Sequence, residues 1–330
     1  MNRKILLLIF FLPSISAKSQ WLKLQFKGSA QGTTYNFISF VDTSSIYTLP
    51  NKNDIDSIFT KIEHDFSLYN ANSLINQFNN SITGIRINAD YKQLFNYVFL
   101  IYKISNHLFD PTILPLKYFW LNIKDSTSVN YSGYTKSNLV SGLHLLRMTN
   151  DSLIKFNSNI KIDLDGIAQG YSVDKFAQFF ESKGVFNYLI EIGGEIRFKG
   201  IKKNTNEEFI ISLPPIDDRL DIISLTNNKS LKFNAITSSG SISKNSFNSL
   251  NKEYINPKTR KPTKSNIVSV SIFAENATIA DGFDNVIMLM NHKGAIDFLK
   301  KHPFINARIV YRAKKKLHFY FTAELKNLLK

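Results

Sequence analysis

The chain has 330 residues, 43% of them hydrophobic, which is enough to bury a large core in one domain or two closely packed ones. It contains no cysteine, so disulfides, thiolate metal sites and a cysteine nucleophile are excluded. The formal net charge of +15 is scattered along a sequence without a nucleic-acid-binding module, and predicts a basic solvated surface and no nucleic-acid partner.

The N-terminus has the pattern of a secretory signal peptide. Arg3 and Lys4 precede a short apolar run at residues 5–12, and small residues follow it. This run is too short to span a bilayer, which needs about 20 apolar residues. We therefore predict a cleaved signal peptide at residues 1–19. The mature chain, residues 20–330, is expected in the periplasm or at the outer face of the cytoplasmic membrane.

Hydrophobic alternation at the start of the mature chain predicts a β-hairpin over residues 21–40, with Gly28 and Gly32 near its turn. Apolar residues then recur with helical spacing, and polar segments follow. The predicted elements are a helix at residues 54–66, a helix at 89–107, and polar loops with short strands at 126–159.

The second half of the chain mixes strand and helix signals without a regular βαβ repeat, so we predict an α+β fold. The predicted elements, in order, are a helix at 166–183 that stops at Gly184, a strand at 187–198 interrupted by Gly193-Gly194, a strand at 267–273, helices at 278–290 and 293–300, and strands at 307–311 and 317–321.

The most informative stretch is residues 162–174, which predicts a strand, a glycine turn and the start of a helix. Asp163 and Asp165 lie at the turn, while Gly166 and Gly170 carry no Cβ and let the backbone approach a ligand. Free N–H groups at a helix start favour phosphate oxygens, and carboxylates beside phosphates imply a bridging cation. The stretch predicts a phosphate-bearing ligand with a divalent metal. The alternative is an ordinary strand-to-helix turn with solvated acids.

Separate motifs along the chain match one protein family in order. They are Gln31-Gly32-Thr33-Thr34-Tyr35, Ser67-Leu68-Tyr69 with Ser73 and Asn79, Phe109-Asp110-Pro111-Thr112 with Pro115-Leu116 and Trp120, the 163–174 stretch, Ile192-Gly193-Gly194-Glu195-Ile196, Ser238-Ser239-Gly240, Asn256-Pro257 with Thr259 and Pro262, and Ala280-Asp281-Gly282. With these motifs the chain resembles the ApbE-type FAD:protein FMN transferases over residues 31–290. The resemblance implies an ApbE-like domain over residues 20–330, with mixed sheets and helices around a flavin cleft.

The resemblance also implies the activity. We expect Mg²⁺-dependent transfer of FMN from FAD to a Ser or Thr hydroxyl of a target protein, with release of AMP. The expected partners are FAD and an acceptor protein of a redox complex, through which the enzyme would lie at the membrane periphery. Two alternatives stay open: an FAD pyrophosphatase, in which water replaces the acceptor hydroxyl, and a flavin-binding protein that has lost catalysis.

By resemblance, the metal ligands are the backbone carbonyl of Gly166 with Asp281 and Asn285, and Thr278 lies close by. Asp281 and Asn285 are spaced i, i+4 and therefore share one helix face. Their oxygens suit a hard cation such as Mg²⁺. The alternative for Asp281 is a capping box with Thr278 as the cap residue.

The flavin contacts implied by the resemblance are Gln31, Tyr69, Leu108, Phe109, Asp110, Asp163, Gln169 and Ile255. The chain departs from the family pattern at several positions. Gln31 stands where the family usually has Met, Gln169 replaces a Lys or an acidic residue, and Asn285 replaces a Thr. The family's His-Ile-Ile-Asp-Pro-x-Thr-Gly motif lacks its His in this chain. Arg260 stands where the motif has its final Gly.

The missing histidine bears on how the acceptor hydroxyl loses its proton. Glu253 and Asp284 are carboxylates near the altered motifs, and either can act as a general base if its pKa is suitable. We predict that one of them replaces the histidine, with Asp281 or metal-bound solvent as the remaining option.

Overall fold

The protein is described here from a computed structural model that covers residues 21–45, 49–122, 139–216, 221–225, 233–240 and 251–328. The predicted signal peptide lies outside these residues. In chain order, the strands and helices are β1 Trp21–Ala30, β2 Thr33–Asp42, α1 Lys52–Phe66, α2 Leu74–Asn80, β3 Gly84–Arg86, α3 Ala89–Ile104, α4 Leu114–Asn122, β4 Leu146–Met148, β5 Ser152–Lys155, α5 Asp165–Ser182, β6 Tyr188–Ile192, β7 Glu195–Lys199, β8 Phe209–Ser212, β9 Ile222–Leu225, β10 Ala235–Gly240, β11 Asn251–Asn256, β12 Lys261–Thr263, β13 Ile267–Ala274, α6 Ala277–Met288, α7 His292–Lys301, β14 Asn306–Ala313, β15 Lys316–Phe321 and α8 Ala323–Lys326.

Eight strands form the central sheet, in the order β1-β2-β6-β7-β10-β13-β14-β15. All neighbouring strands in this sheet are antiparallel. Smaller antiparallel sheets are formed by β3, β5 and β4, by β8 and β9, and by β11 and β12. In the described part of the chain, helices thus combine with sheets whose paired strands are antiparallel, and the α+β prediction is confirmed.

The central sheet is covered on both faces. Strand β13 is buried along its whole length, which is unusual for an antiparallel strand unless both faces are packed. Val270 and Ile272 lie in the larger core, which includes residues of α1, α3, α5, α6 and α7. Phe273 lies in a smaller core with residues of β8, β9 and α8. Helix α6 therefore packs on a sheet whose opposite face is covered by the smaller core.

The predicted helices all form, within a few residues of their expected ends. Gly184 follows α5 with a φ of 76°, and its N–H donates to Glu181 O at 2.9 Å, so the predicted helix stop is also confirmed. The predicted interrupted strand is a hairpin of β6 and β7 that turns at Gly193 and Gly194.

Gly28 lies close to the hairpin turn, as predicted, but it is not a turn residue. The β1–β2 turn is Gln31–Gly32, and Gly28 lies inside β1 opposite Tyr35. A Cβ at Gly28 would lie 2.6 Å from Tyr35 Oη, so the glycine makes room for a cross-strand ring. Glycine is therefore required at position 28 by packing against Tyr35, and not by the conformation of the turn.

Helices α2 and α4 were not predicted. Helix α2 has only seven residues, and α4 has nine with apolar side chains on most sides, so neither carries a clear periodic pattern. Of the segment predicted as loops, residues 126–138 lie outside the described part of the chain. Its remainder contains β4 and β5, in agreement with the predicted short strands. Among the described residues, the structure contains no helix with the length and apolarity needed to cross a membrane.

Candidate functional site

Motif segments that are far apart in sequence meet at the start of α5. The Asn79 amide donates to Ile162 O at 3.0 Å and accepts from the Ile162 N–H at 2.7 Å. The Asp163 N–H donates to Pro111 O at 2.7 Å. These bonds join three of the quoted motifs just before the helix begins. The start of α5 is therefore held in place by distant parts of the chain.

Helices α5 and α6 approach closely at Gly170. The Gly170 N–H donates to Asp281 Oδ2 at 2.8 Å. A Cβ on Gly170 would lie 2.7 Å from the Cβ of Asp281 and would also collide with the carbonyl oxygen of Ala277. Only glycine permits this approach, which brings the Asp281 carboxylate to the first turn of α5.

The first turn of α5 is opened at Gly166. In a regular helix the Gly170 N–H would bond to the Gly166 carbonyl. Gly166 instead has non-helical dihedral angles, with φ −84° and ψ 16°, and its carbonyl accepts from Asn285 Nδ2 at 3.3 Å. Asn285 Nδ2 also donates to Asp281 O at 3.0 Å. The structure thus brings together the three residues expected to hold a metal.

This donor set fits Mg²⁺ by its chemistry. A backbone carbonyl, a carboxylate and an amide oxygen are hard ligands of the kind that Mg²⁺ prefers. Asn285 turns its nitrogen toward the carbonyl of Gly166. A half-turn of the amide would place Oδ1 there and would give up the bonds that Nδ2 makes to Asp281 O and Asp284 Oδ1, a loss that a bound cation would offset.

Thr278 lies at the start of α6 and is fully buried. Its N–H and Oγ1 donate to Asp174 Oδ2 at 2.8 and 2.6 Å, and the Ala277 N–H donates to Asp174 Oδ1 at 3.0 Å. The cap residue is Asn276, so Thr278 is inside the helix and the capping-box alternative for Asp281 was wrong. Asp174, on α5, thus binds the first N–H groups of α6 and holds the start of that helix in place.

We predict that Asp174→Asn destabilises the protein by about 2–4 kcal/mol, because a buried amide nitrogen would face N–H donors that had a carboxylate. The free energy of unfolding, measured by urea denaturation, checks this. Asp297→Asn is the matched control, since that side chain is 70% exposed on α7. Equal stability of the two variants would contradict the capping role.

The carboxylate of Asp281 lies near two other buried carboxylates, those of Glu195 and Asp284. Burial, with added repulsion from Asp165 and Asp174, raises the pKa of Asp281 to about 7. Burial, with added repulsion from Asp281, raises the pKa of Glu195 to about 8. Burial also raises the pKa of Asp284, whose Oδ2 accepts from Thr237 Oγ1 at 3.0 Å. Glu195 Oε2 is buried without a hydrogen-bond partner among the described residues. A cation would offset this concentration of negative charge.

Lys117 was not singled out from the sequence, yet it lies beside the Asp163 turn. Its Nζ is 2.6 Å from Asp163 Oδ2 and 3.3 Å from Asp165 Oδ2. The Asp165 N–H donates to Asp163 Oδ1 at 2.8 Å. Burial alone would lower the pKa of Lys117, but the two carboxylates raise it above its usual value. The ammonium group therefore stays charged.

Two of the expected flavin contacts line one face of α5. Gln31, in the β1–β2 turn, donates from Nε2 to Ser172 Oγ at 2.8 Å. Gln169 lies one turn before Ser172 and packs against Gly193, where a Cβ would collide with its Nε2. The β1–β2 turn and the β6–β7 turn thus contact the same face of α5.

Asp110 uses both carboxylate oxygens within the protein. Oδ1 accepts from the Thr112 N–H at 2.9 Å and from its Oγ1 at 2.6 Å, and Oδ2 accepts from the Leu143 N–H at 3.2 Å. Burial raises the pKa of this carboxyl group. The structure gives Asp110 a role in capping the 3₁₀ turn at residues 111–113.

The apolar flavin candidates differ in exposure. Phe109 is buried, Leu108 packs against the larger core, and Ile255 is buried with Leu116 and others in a small cluster. Tyr69 is 95% exposed, so its ring offers a free face.

The altered His-Ile-Ile-Asp-Pro-x-Thr-Gly motif, which ends at Arg260, keeps part of the backbone conformation expected of it. Arg260 has a φ of 61°, a left-handed conformation that favours glycine, the residue of the family pattern at this position. Its carbonyl accepts from Trp120 Nε1 at 2.9 Å. Glu253 lies in β11, but its side chain is outside the described part of the structure.

The chain is similar to known proteins of one family over most of its length. A model of the ApbE family matches residues 31–309. The FAD:protein FMN transferase of Chlamydia muridarum is 28% identical over 313 residues, which cover 89% of this chain and 93% of the relative. The FAD:protein FMN transferase of Vibrio cholerae is 25% identical over 283 residues, which cover 82% of each chain.

Solved structures show the same fold. The flavin transferase ApbE from Vibrio cholerae aligns with a TM-score of 0.80 at 22% identity, over 94% of this chain and 100% of that one. The apo form of the Pseudomonas stutzeri flavinyl transferase ApbE aligns with a TM-score of 0.81 at 20% identity, over 94% of this chain and 97% of that one.

Proposed function

The chain belongs to the ApbE family, and we propose that it is an FAD:protein FMN transferase that uses Mg²⁺. It would move FMN from FAD to a Ser or Thr hydroxyl of another protein and release AMP. The observation that carries this proposal is the meeting of Gly166 O, Asp281 and Asn285 at the opened first turn of α5. The names of the relatives support the flavin substrate.

In the proposed reaction, the acceptor hydroxyl oxygen forms a bond to the phosphorus of the FMN unit. The bond from that phosphorus to the oxygen of the AMP phosphate breaks, AMP leaves with the electron pair, and the hydroxyl proton passes to a base. Gly166, Asp281 and Asn285 would hold Mg²⁺, which would neutralise the diphosphate and stabilise the leaving phosphate.

The chain's own residues bind and orient the substrate. The start of α5 is fixed by bonds within the protein, because the Asp165 N–H donates to Asp163 Oδ1 and the Ile167 and Ala168 N–H groups donate to Leu164 O. The Gly170 N–H fixes the orientation of the Asp281 carboxylate. The exposed ring of Tyr69 offers a surface on which a flat flavin can stack.

The identity of the residue that accepts the hydroxyl proton stays a prediction. We expect Glu253→Gln or Asp284→Asn to slow FMN transfer by about 10²–10⁴-fold while FAD binding persists, because an amide keeps the size of the side chain but cannot accept the proton. Single-turnover transfer and FAD titration measure the two effects separately. Glu63→Gln is the control, since Glu63 is exposed on α1. If both site variants transfer at the wild-type rate, the base lies elsewhere.

Mass spectrometry of an acceptor tests the function directly. The mature protein is incubated with FAD, Mg²⁺ and a panel of exported redox domains that contain Ser or Thr acceptors. We expect a mass increase of one FMN ester on an acceptor and an equal amount of AMP. AMP and free FMN without any acceptor would instead support the pyrophosphatase. FAD binding with neither product would support a flavin-binding protein without catalysis.

We also propose that the protein acts after export, since its N-terminus has the signal-peptide pattern described above. The acceptor would then be a redox protein with an exported domain. N-terminal sequencing of the native protein is expected to begin near Lys18 or Gln20. A native chain that begins at Met1 in the cytoplasm would contradict this.

A further inference from the structure

Lys117 is fixed between two carboxylates at the start of α5. Helix α4, which carries it, is anchored by Leu116 and Trp120, both almost fully buried. The Lys117 side chain is 24% exposed, its Nζ contacts Asp163 Oδ2 at 2.6 Å and Asp165 Oδ2 at 3.3 Å, and the Asp165 side chain is 51% exposed. The ammonium group is therefore held in place but can still be reached from solvent.

The donors of Lys117 are not used up by these contacts. An ammonium group has three N–H donors, and the two carboxylates take two of them. The contact to Asp165 is long and involves an exposed carboxylate, so it is easily exchanged for another anionic oxygen. One N–H, and a second after exchange, can therefore reach a ligand.

The two carboxylates at this turn would repel a phosphate unless a cation offsets their charge. Asp163 and Asp165 lie two residues apart, and each oxygen that faces Lys117 carries negative charge. Without Lys117 these carboxylates would repel a diphosphate brought to the open first turn of the helix. With Lys117 in place, its positive charge offsets much of that repulsion.

We propose that Lys117 makes the site selective for a flavin that carries phosphate over the neutral riboflavin. Its ammonium group offsets one of the two negative charges of Asp163 and Asp165 and donates its remaining N–H to a phosphate oxygen of the bound dinucleotide. This inference rests on the proposed function, because it takes FAD as the ligand. Lys117 acts on binding and specificity, and it takes no proton in the reaction.

The test compares FAD and riboflavin binding by calorimetry in wild type, Lys117→Met and Lys117→Arg. We expect Lys117→Met to weaken FAD binding by about 10- to 100-fold, the range of a hydrogen bond to a charged group, with riboflavin binding unchanged. Lys117→Arg keeps the charge and should retain most of the FAD affinity. Equal losses for both ligands, or no loss for FAD, would overturn the proposal.

Lys175→Met is a closely matched control. The Lys175 side chain is 26% exposed and its Nζ lies 2.8 Å from Asp90 Oδ1, so it resembles Lys117 in burial and pairing. It lines a separate cavity of about 300 Å³ between α1, α3 and α5, whose lining includes none of the predicted site residues. We expect this variant to bind both ligands as wild type does.

A second variant decides the matter if Lys117→Met does not fold. Asp165→Asn removes an exposed like charge and frees Lys117, so FAD affinity should rise by about two- to fivefold with riboflavin affinity unchanged. A fall or no change in FAD affinity would overturn the proposal. Wild type that binds no FAD would instead contradict the proposed function itself.

Discussion

Asp281→Asn is expected to abolish Mg²⁺-dependent FMN transfer while the fold persists. The amide has nearly the shape of the carboxylate, and its oxygen can still accept from the Gly170 N–H. It lacks the negative charge that holds a hard cation, whose stabilisation of the transition state is worth several kcal/mol. Transfer should therefore fall by about a thousandfold or more.

A transfer assay across Mg²⁺ concentrations measures this effect, and thermal unfolding reports on the fold. Asp56→Asn is the control, because that side chain is 54% exposed on α1. Wild-type rates in Asp281→Asn would exclude the metal assignment. Unfolding of the variant would show that the carboxylate is needed for structure.

The same substitution should change the pH dependence of stability without Mg²⁺. Burial raises the pKa of Asp281 to about 7, above the value of about 4 in an unfolded chain. The folded protein therefore holds the proton more tightly than the unfolded chain. The resulting stabilisation is fully present below about pH 4 and is lost as the pH rises through about 7. We expect Asp281→Asn to flatten this decline in urea denaturation, and an unchanged decline would exclude Asp281 as its source.

Gly170→Ala is expected to disrupt the contact between α5 and α6. The new Cβ would lie 2.7 Å from the Asp281 Cβ and would collide with the backbone oxygen of Ala277, which cannot move aside as a flexible side chain can. Overpacking of this kind costs about 1–3 kcal/mol of stability. Because the helices must separate, Asp281 would also move away from the Gly166 carbonyl, and Mg²⁺-dependent transfer should be lost.

Urea denaturation and the transfer assay check both effects. Gly294→Ala is the matched control, because the added Cβ on α7 would meet Asn291 Oδ1 only at 3.6 Å. That variant should be more stable by about 0.5–1 kcal/mol, as expected for alanine in place of glycine within a helix. A Gly170→Ala protein as stable and as active as wild type would contradict the close-approach role of this glycine.

The sequence predicted the longer elements because their signals are local. Helices α1, α3, α5, α6 and α7 repeat apolar residues with helical spacing over at least ten residues, so each helix could be recognised alone. Helices α2 and α4 are shorter, and the burial of their side chains depends on what packs around them. Periodicity cannot report that environment.

By itself the sequence determined the order of motifs, the α+β class and the i, i+4 spacing that puts Asp281 and Asn285 on one face of α6. These properties depend on residues close together along the chain. The tertiary structure alone decided that Lys117 pairs with Asp163, 46 residues away, and that Asp174 accepts from the Ala277 N–H at the start of α6, across 103 residues. Such pairs form only when packing of the helices on the sheet brings their elements together, and no local pattern encodes which buried charges will then face each other.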